Sequence, residues 1–545
     1  MAVTASAKHE HWSSRTAFIF AAVGSAVGLG NIWKFPYEAG QGGGGAFVLI
    51  YLVFVFGIGV PVMIAELMVG RRGQLSPPNA MKKLAEESRQ SKAWTSVGWL
   101  GVSGAFLVLS FYSVIAGWTL TYIVEILSGN LVGADAASSN ATFNELLGNP
   151  WRMTIWHAAF MALTVFIVAN GIKGGLERAV TLLMPLLFVL LVIIVIYSLW
   201  AGDAAAALKF LFEPDLSELT PEVAIQALGQ AFFSLSLALG TIMAYGAYLS
   251  REISIPRSAV IIASADTGVA LLAGLAIFPI VFQFGLEPGS GPGLIFVTLP
   301  IAFAQMPGGV VIGTAFFLLL AVAALTSSIS LLEPIVSRLE EQKGFRRAPS
   351  AIGAGLAVFL VGILTVLSFN HMADVKFLAG TVFDNVDFLT NNIIMPLGGL
   401  LLAIFVGWYM TRSLVRDELW SISDRVFDIW HKGISLVAPF ALIAIFFSVS
   451  GSEEAVLRIV EYAGWGVSGD RFERLLHATI VIAVLILPTL LAAQRHHPRL
   501  GLLFFVNIVA GWTPIGWLFC LVWAHRPDLL PQLKAAIAGD SAKDG

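Results

Sequence analysis

The chain has 545 residues, of which 57% are hydrophobic and 12% charged, with a net charge of −3. A soluble domain carries about 25% charged residues, so this composition excludes an ordinary water-soluble fold and points to the bilayer. The absence of a basic stripe excludes a nucleic-acid partner. The single cysteine, Cys520, excludes an internal disulfide or a thiol metal cluster.

The polar N-terminus runs straight into a full-length apolar segment, which is not the pattern of a cleaved secretory signal. A crossing helix needs about 20 apolar residues. The sequence predicts thirteen such spans, at 15–36, 45–70, 96–127, 153–170, 177–200, 222–249, 257–284, 310–339, 350–369, 388–411, 432–451, 474–494 and 500–525. Cations gather in every second connection: Arg71, Arg72, Lys82 and Lys83; Lys173 and Arg178; Arg251 and Arg257; Arg338, Lys343, Arg346 and Arg347; Arg412, Arg416 and Arg425; Arg495 and Arg499. The connections Ser128–Pro150 and Gly285–Gly309 hold neither Lys nor Arg between the spans. By the positive-inside rule the N-terminus is cytoplasmic, and thirteen crossings put the C-terminus outside. The expected location is the inner, or plasma, membrane.

Two spans are interrupted by small residues at mid-depth, span one at Gly24-Ser25-Ala26-Val27-Gly28-Leu29-Gly30-Asn31 and span six at Phe233-Ser234-Leu235-Ser236-Leu237-Ala238-Leu239-Gly240. They lie five spans apart, so the second unit is inverted relative to the first. Broken helices at matching positions of inverted halves mark the midplane site of secondary transporters; the plainer reading is close packing of small residues between helices. Unpaired backbone groups at such breaks must be satisfied inside the protein, and their carbonyls, with hydroxyl or amide side chains such as Asn31 and Ser234, suit a hard cation. Span eight adds Thr326-Ser327-Ser328, whose hydroxyls either join such a site or bond back to the preceding turn. Ionisable side chains inside spans are costly and default to function, which singles out Glu66, Asp266 and Glu333. Lys34 and Asp387 fall at the outer ends of spans one and ten, on the same side of the membrane. The nine histidines follow no metal-ligand spacing. No phosphate loop, nucleophile elbow or paired-carboxylate site supports an enzyme.

His11-Trp12, the run Gly24–Pro36, Gly43-Gly44-Gly45-Ala46-Phe47, Gly229-Gln230-Ala231-Phe232-Phe233-Ser234-Leu235-Ser236 and Leu325-Thr326-Ser327-Ser328-Ile329-Ser330 together resemble the neurotransmitter:sodium symporter family, over about residues 8–451. The resemblance implies an all-α polytopic fold like that of the family's bacterial leucine transporter, a five-plus-five inverted repeat with spans one and six broken. The repeats fall at 15–200 and 222–411 within a transport domain, 1–451.

It further implies a sodium-coupled importer of small hydrophobic L-amino acids, aliphatic or aromatic, that works by alternating access. A first sodium would use Ala26, Asn31, Ser234, Asp266 and the substrate carboxylate; a second would use Gly24, Val27, Ala323, Thr326 and Ser327. Substrate would lie among Ser25, Ala26, Leu29, Gly30, Val108, Tyr112, Phe233, Ser234, Ser236, Leu239, Ser327 and Leu331. The gates would be Lys34 with Asp387 outside, lidded by Phe233 and Tyr112, and Trp12, Tyr248 and Glu341 inside. Gly175 and Pro185 resemble a motif that lets span five unwind and open the inner sodium exit.

Two departures matter. The basic partner of Glu341 falls at His9, beside Lys8, where relatives carry a firmer cation. Relatives often carry an amide at the position of Asp266, while Ala270 replaces the leucine transporter's carboxylate one turn later. Chloride independence is therefore expected. Gly28 stands where monoamine carriers place an Asp, which favours an amino acid over an amine.

After a connection at 452–473, the pair of spans at 474–525 resembles small superinfection-immunity proteins, through Gly511-Trp512-Thr513-Pro514-Ile515-Gly516-Trp517 and Val522-Trp523-Ala524. A polar tail, 526–545, follows. Two other readings compete with transport: an amino acid sensor on the same scaffold, and a phage-exclusion protein carrying a vestigial transporter.

Overall fold

The computed structural model describes residues 11–286, 293–343 and 345–449, together with 503, 506, 507 and 514–525. Span twelve, the connection 452–473, the tail 526–545, Lys8 and His9 lie outside the described residues, as does much of span thirteen. Among the described residues the molecule is built of helices, and no strand is present beyond one isolated bridge, Phe377 with Gly380.

Among the described residues, nine helices are long and apolar enough to cross a membrane, and a bent pair, Arg15–Ala26 with Gly30–Gln41, makes a tenth crossing. Span six, in two pieces at Pro221–Ser234 and Thr241–Ala247, completes the eleven that the sequence predicts for this region. The others are Gly45–Gly73, Lys92–Leu127, Pro150–Ala169, Ile172–Ala201, Ile255–Gln283, Gly309–Gln342, Arg347–Ser368, Val382–Tyr409 and Asp424–Ile443. The loops read as extracytoplasmic each contain a helix, Ala136–Gly148 and Leu294–Gln305.

Burial sorts these spans into an inside and an outside. The apolar window of span three is 78% buried, whereas those of spans four, five and eleven are 33% buried. Exposed Leu182, Val189 and Ile196 on span five continue that pattern, presenting apolar side chains where lipid would be the solvent. Spans three and eight pack along one another, with spans one and six against them. The two broken helices are thereby held at the centre of the bundle.

The first break follows from crowding. The helix stops at Ala26 because Val27 turns extended (φ −69°, ψ 110°), and the two halves diverge by 51°. A Cβ on Gly28 would stand 2.5 Å from Ser327 Oγ and 2.8 Å from Tyr112 Oη, so only glycine fits. In the second break, Ser236 (φ 52°), Ala238 (φ 66°) and Gly240 (φ 71°) all adopt left-handed backbone. For the two non-glycine residues this costs on the order of 1–3 kcal/mol each. The surroundings hold them there: Glu66 accepts the Ala238 N–H at 2.5 Å, and Ser236 Oγ donates to the Ser25 carbonyl at 2.9 Å.

Candidate substrate and ion site

Between the breaks lies a cavity of about 30 Å³, lined by Ala26, Gly28, Gly30, Val108, Tyr112, Phe233, Ser236, Leu239, Ser327 and Leu331. Its volume is about one water's share of liquid, so an amino acid requires the walls to part. Nine of these ten were expected from the sequence; Gly28 joins them because its bare α-carbon admits Ser327 and Tyr112. Three further residues expected there are not part of its lining. Ser25 turns its carbonyl to Ser236, Leu29 donates its N–H to Tyr112 Oη at 3.2 Å, and Ser234 faces a buried polar knot.

That knot joins Asn31, Ser234 and Asp266, all buried. Asn31 Nδ2 donates to Asp266 Oδ1 at 2.7 Å and to Ser234 Oγ at 3.0 Å, and Ser234 Oγ donates to Asp266 Oδ2 at 2.5 Å. Sequence reasoning missed two neighbours. Tyr51 on span two donates its hydroxyl to Ser234 at 3.3 Å, and Gln230, one turn before Ser234, donates to the Gly30 carbonyl at 3.0 Å. A polar side chain in an apolar span was the available signal for each. The set supplies hydroxyl, amide and carboxylate oxygens out of water, with one fixed negative charge, which fits a hard cation.

The residues expected at the second ion site also lie together. Ser327 Oγ lies 3.1 Å from the Val27 carbonyl and 3.4 Å from that of Gly24, tying span eight to the end of the first half-helix. Thr326 Oγ1 donates back to the Ala323 carbonyl at 3.0 Å, so its hydroxyl and that carbonyl sit together. Met184, fully buried on span five, covers this corner: a Cβ on Gly24 would come 3.0 Å from its sulfur and 3.2 Å from Thr326 Cβ. Span five is wound continuously across Gly175 and Pro185, with no opening at that motif.

The side on which Trp12 lies, expected to be cytoplasmic, is packed shut. Trp12 is buried, donates its indole N–H to the Tyr245 carbonyl at 3.2 Å, and sets its ring edge-on to Tyr245 and Tyr248. Tyr248 donates to Glu333 at 2.7 Å, and Glu333 is ion-paired with Arg347. Glu341 meets no cation among the described residues; it accepts from the Ser76 N–H and from Asn79 Nδ2, each at 2.6 Å. Next to Trp12, Ser13 donates its N–H to Glu177 at the foot of span five at 3.0 Å.

At the opposite end of the site the expected Lys34–Asp387 ion pair is not made. Lys34 Nζ sits 4.5 Å from the centroid of the Phe233 ring, and Asp387 accepts from Asn391 at 2.7 Å. A second cavity of about 200 Å³ opens here, between Lys34, Glu38, Gln226, Phe233, Asn391 and Met395. The ring face and the amide take up the two charges instead. Phe233 lines both cavities and is the partition between them.

A model of the sodium:neurotransmitter symporter family matches residues 9–146 and 141–494. The chain belongs to that family. It is a multi-pass membrane transporter and not an enzyme, with the broken-helix fold expected from the sequence. A superinfection immunity protein model matches residues 484–525, so the family match runs past residue 451 and overlaps this second match at 484–494. The chain is 42% identical to an uncharacterised sodium-dependent transporter of Bacillus subtilis, over 82% of this chain and 98% of that one. It is 26% identical to a bovine sodium- and chloride-dependent taurine transporter, over 66% of each. The solved structure of MhsT in complex with L-phenylalanine superposes with a TM-score of 0.76, at 43% identity, over 81% of this chain and all of that one.

Proposed function

We propose that this symporter imports small hydrophobic L-amino acids, aliphatic or aromatic, by alternating access, with two co-transported sodium ions and no chloride. The observation that carries the substrate class is the cavity wall. Ala26, Gly28, Val108, Leu239 and Leu331 offer a ligand's ammonium no carboxylate. A bare amine would leave an unpaired charge out of water there, whereas a zwitterion brings its own anion toward the Asn31–Ser234–Asp266 knot. The L-phenylalanine held by MhsT supports the same class.

The first ion would sit among Ala26, Asn31, Ser234, Asp266 and the substrate carboxylate; the second among Gly24, Val27, Ala323, Thr326 and Ser327. Two cations at mid-membrane need compensating charge, and a zwitterion contributes none in sum. Asp266 supplies a fixed anion where Ala270, one turn on, supplies nothing. Two sodium ions crossing about 100 mV release about 4.6 kcal/mol, enough for accumulation on the order of a thousandfold. Lys34 and Asp387 would close over bound substrate from outside. Trp12, Tyr248 and Glu341 hold the inner side shut, with the N-terminus in the cytoplasm and the chain in the inner, or plasma, membrane. The module at 474–525 supplies no residue to either ion site and is dispensable for transport.

Uptake of labelled amino acids into proteoliposomes tests this, with and without an inward sodium gradient and with gluconate replacing chloride. Uptake should require sodium, persist in gluconate, and be competed by leucine, methionine or phenylalanine and not by tyramine or dopamine. Asp266→Asn should weaken sodium affinity. A collapse of wild-type uptake in gluconate defeats the chloride claim, and sodium-dependent binding without accumulation would make the protein a sensor.

A further inference from the structure

We propose that Gly104, a residue outside the cavity, sets the largest substrate side chain that the site accepts, acting through Leu239. This rests on reading the central cavity as the substrate site. Gly104 is buried on span three, one turn before Val108, which stands in the cavity wall. A Cβ there would lie 2.9 Å from Leu239 Cδ2 and 2.8 Å from Ile394 Cγ2, far inside the ordinary carbon contact of about 3.5–4.0 Å. The space a side chain would need is already filled by the end of Leu239.

Leu239 therefore stands as far back from the cavity as the fold allows. Its backbone has no further retreat, because a Cβ on Gly101 would already come 3.0 Å from the Gly240 nitrogen and 3.2 Å from the Leu239 carbonyl carbon. Span three touches the unwound strand of span six directly at that point. Of the two side chains facing Gly104, Ile394 is the stiff one: its Cγ2 hangs on a branched Cβ with restricted rotamers, and the residue is buried. The isobutyl end of Leu239 is the part that yields. It faces a void of only about 30 Å³, shared with Val108, Ser236 and Leu331. One methyl added at residue 104 pushes Leu239 into that void and removes room for a bulky side chain. The ion-binding residues and the groups that meet the amino and carboxyl ends stay in place. Gly104 is a positioning residue for specificity, and its effect should fall on substrate size alone.

The test is uptake of labelled L-phenylalanine and L-alanine by Gly104→Ala, Leu239→Val and the double variant in proteoliposomes. Gly104→Ala should raise KM for phenylalanine about tenfold or more and leave alanine within about twofold. The double variant, in which a methyl lost from residue 239 makes room for the one gained at 104, should recover most of the phenylalanine affinity. An equal loss for both substrates, or a double variant as impaired as Gly104→Ala, overturns the proposal. If Gly104→Ala does not fold, the double is compared with Leu239→Val: the added methyl should shift selectivity back toward alanine, and an unchanged ratio overturns the proposal. Wild-type protein that takes up neither amino acid removes the substrate reading itself, and this inference with it.

Discussion

The two breaks occupy matching positions in inverted halves yet differ in what crowds and strains them. In span one the chain is bare: Gly28 and Gly30 leave no Cβ, and Ser327, Tyr112 and Phe233 press into the space. In span six the chain carries side chains in left-handed backbone, at Ser236 and Ala238, and polar groups from elsewhere hold it there. Hydrogen bonds serve both breaks, since Asn31 Oδ1 accepts the Gly28 N–H at 3.0 Å and Tyr112 Oη accepts that of Leu29 at 3.2 Å. The first adds a steric fit around bare glycine, the second left-handed backbone at residues that carry side chains. Crowding is intolerant of any added atom, whereas hydrogen bonding is sensitive to the loss of one acceptor.

The largest expected effect is therefore at Gly28. Gly28→Ala puts a methyl 2.5 Å from Ser327 Oγ and should weaken substrate binding about tenfold to a hundredfold, measured by radioligand binding. Wild-type affinity in this variant would show that the first break has slack.

At span six the acceptor for a freed N–H is a carboxylate, Glu66, where span one uses the Asn31 amide oxygen and the Tyr112 hydroxyl. Glu66→Ala strands the Ala238 N–H, buried and without its acceptor, and should cost about 1–3 kcal/mol in thermal unfolding. Glu66→Gln keeps an acceptor without the charge and should cost less. Equal losses for the two would mean that side-chain volume, and not the hydrogen bond, supports span six.

A smaller effect is expected where span eight meets the first break. Thr326→Val with Ser327→Ala removes the hydroxyl 3.1 Å from the Val27 carbonyl. It should raise the sodium concentration for half-maximal uptake about twofold to tenfold in inserted protein. Unchanged sodium dependence would reduce both hydroxyls to back-bonding within their own helix.

The smallest change is expected at Ala238, where φ is 66°. Ala238→Gly relieves about 1–2 kcal/mol of strain and gives back about 0.5–1 kcal/mol in unfolded-state freedom, so stability should rise by no more than about 1 kcal/mol. Gly240→Ala, at φ 71°, should cost about 1–2 kcal/mol. A loss above about 1 kcal/mol in Ala238→Gly would show that its methyl, packed toward Gly398, matters more than the backbone.

Much was legible before any coordinates. Composition and apolar length determined an all-α membrane fold, and the eleven spans in the described region fall where the sequence puts them, ten within two turns and span eleven starting eight residues early. The glycine run Gly24–Gly30 announced the first break, and Asn31, Ser234 and Asp266 stood out as polar groups in apolar helices. These features are local: helix length, small-residue runs and misplaced polarity are written within one turn or one span. What the tertiary structure decided are meetings between distant segments. Nothing near Glu66 says that it caps Ala238, nothing near Gly104 says that Leu239 fills the space beside it, and Lys34 turned out to rest on Phe233 in place of Asp387. Ser236 and Ala238 are ordinary helix residues whose left-handed backbone exists only because other spans hold it. A strained conformation persists where the surrounding packing over-determines it, and that packing is fixed by the whole bundle and by no stretch of sequence alone.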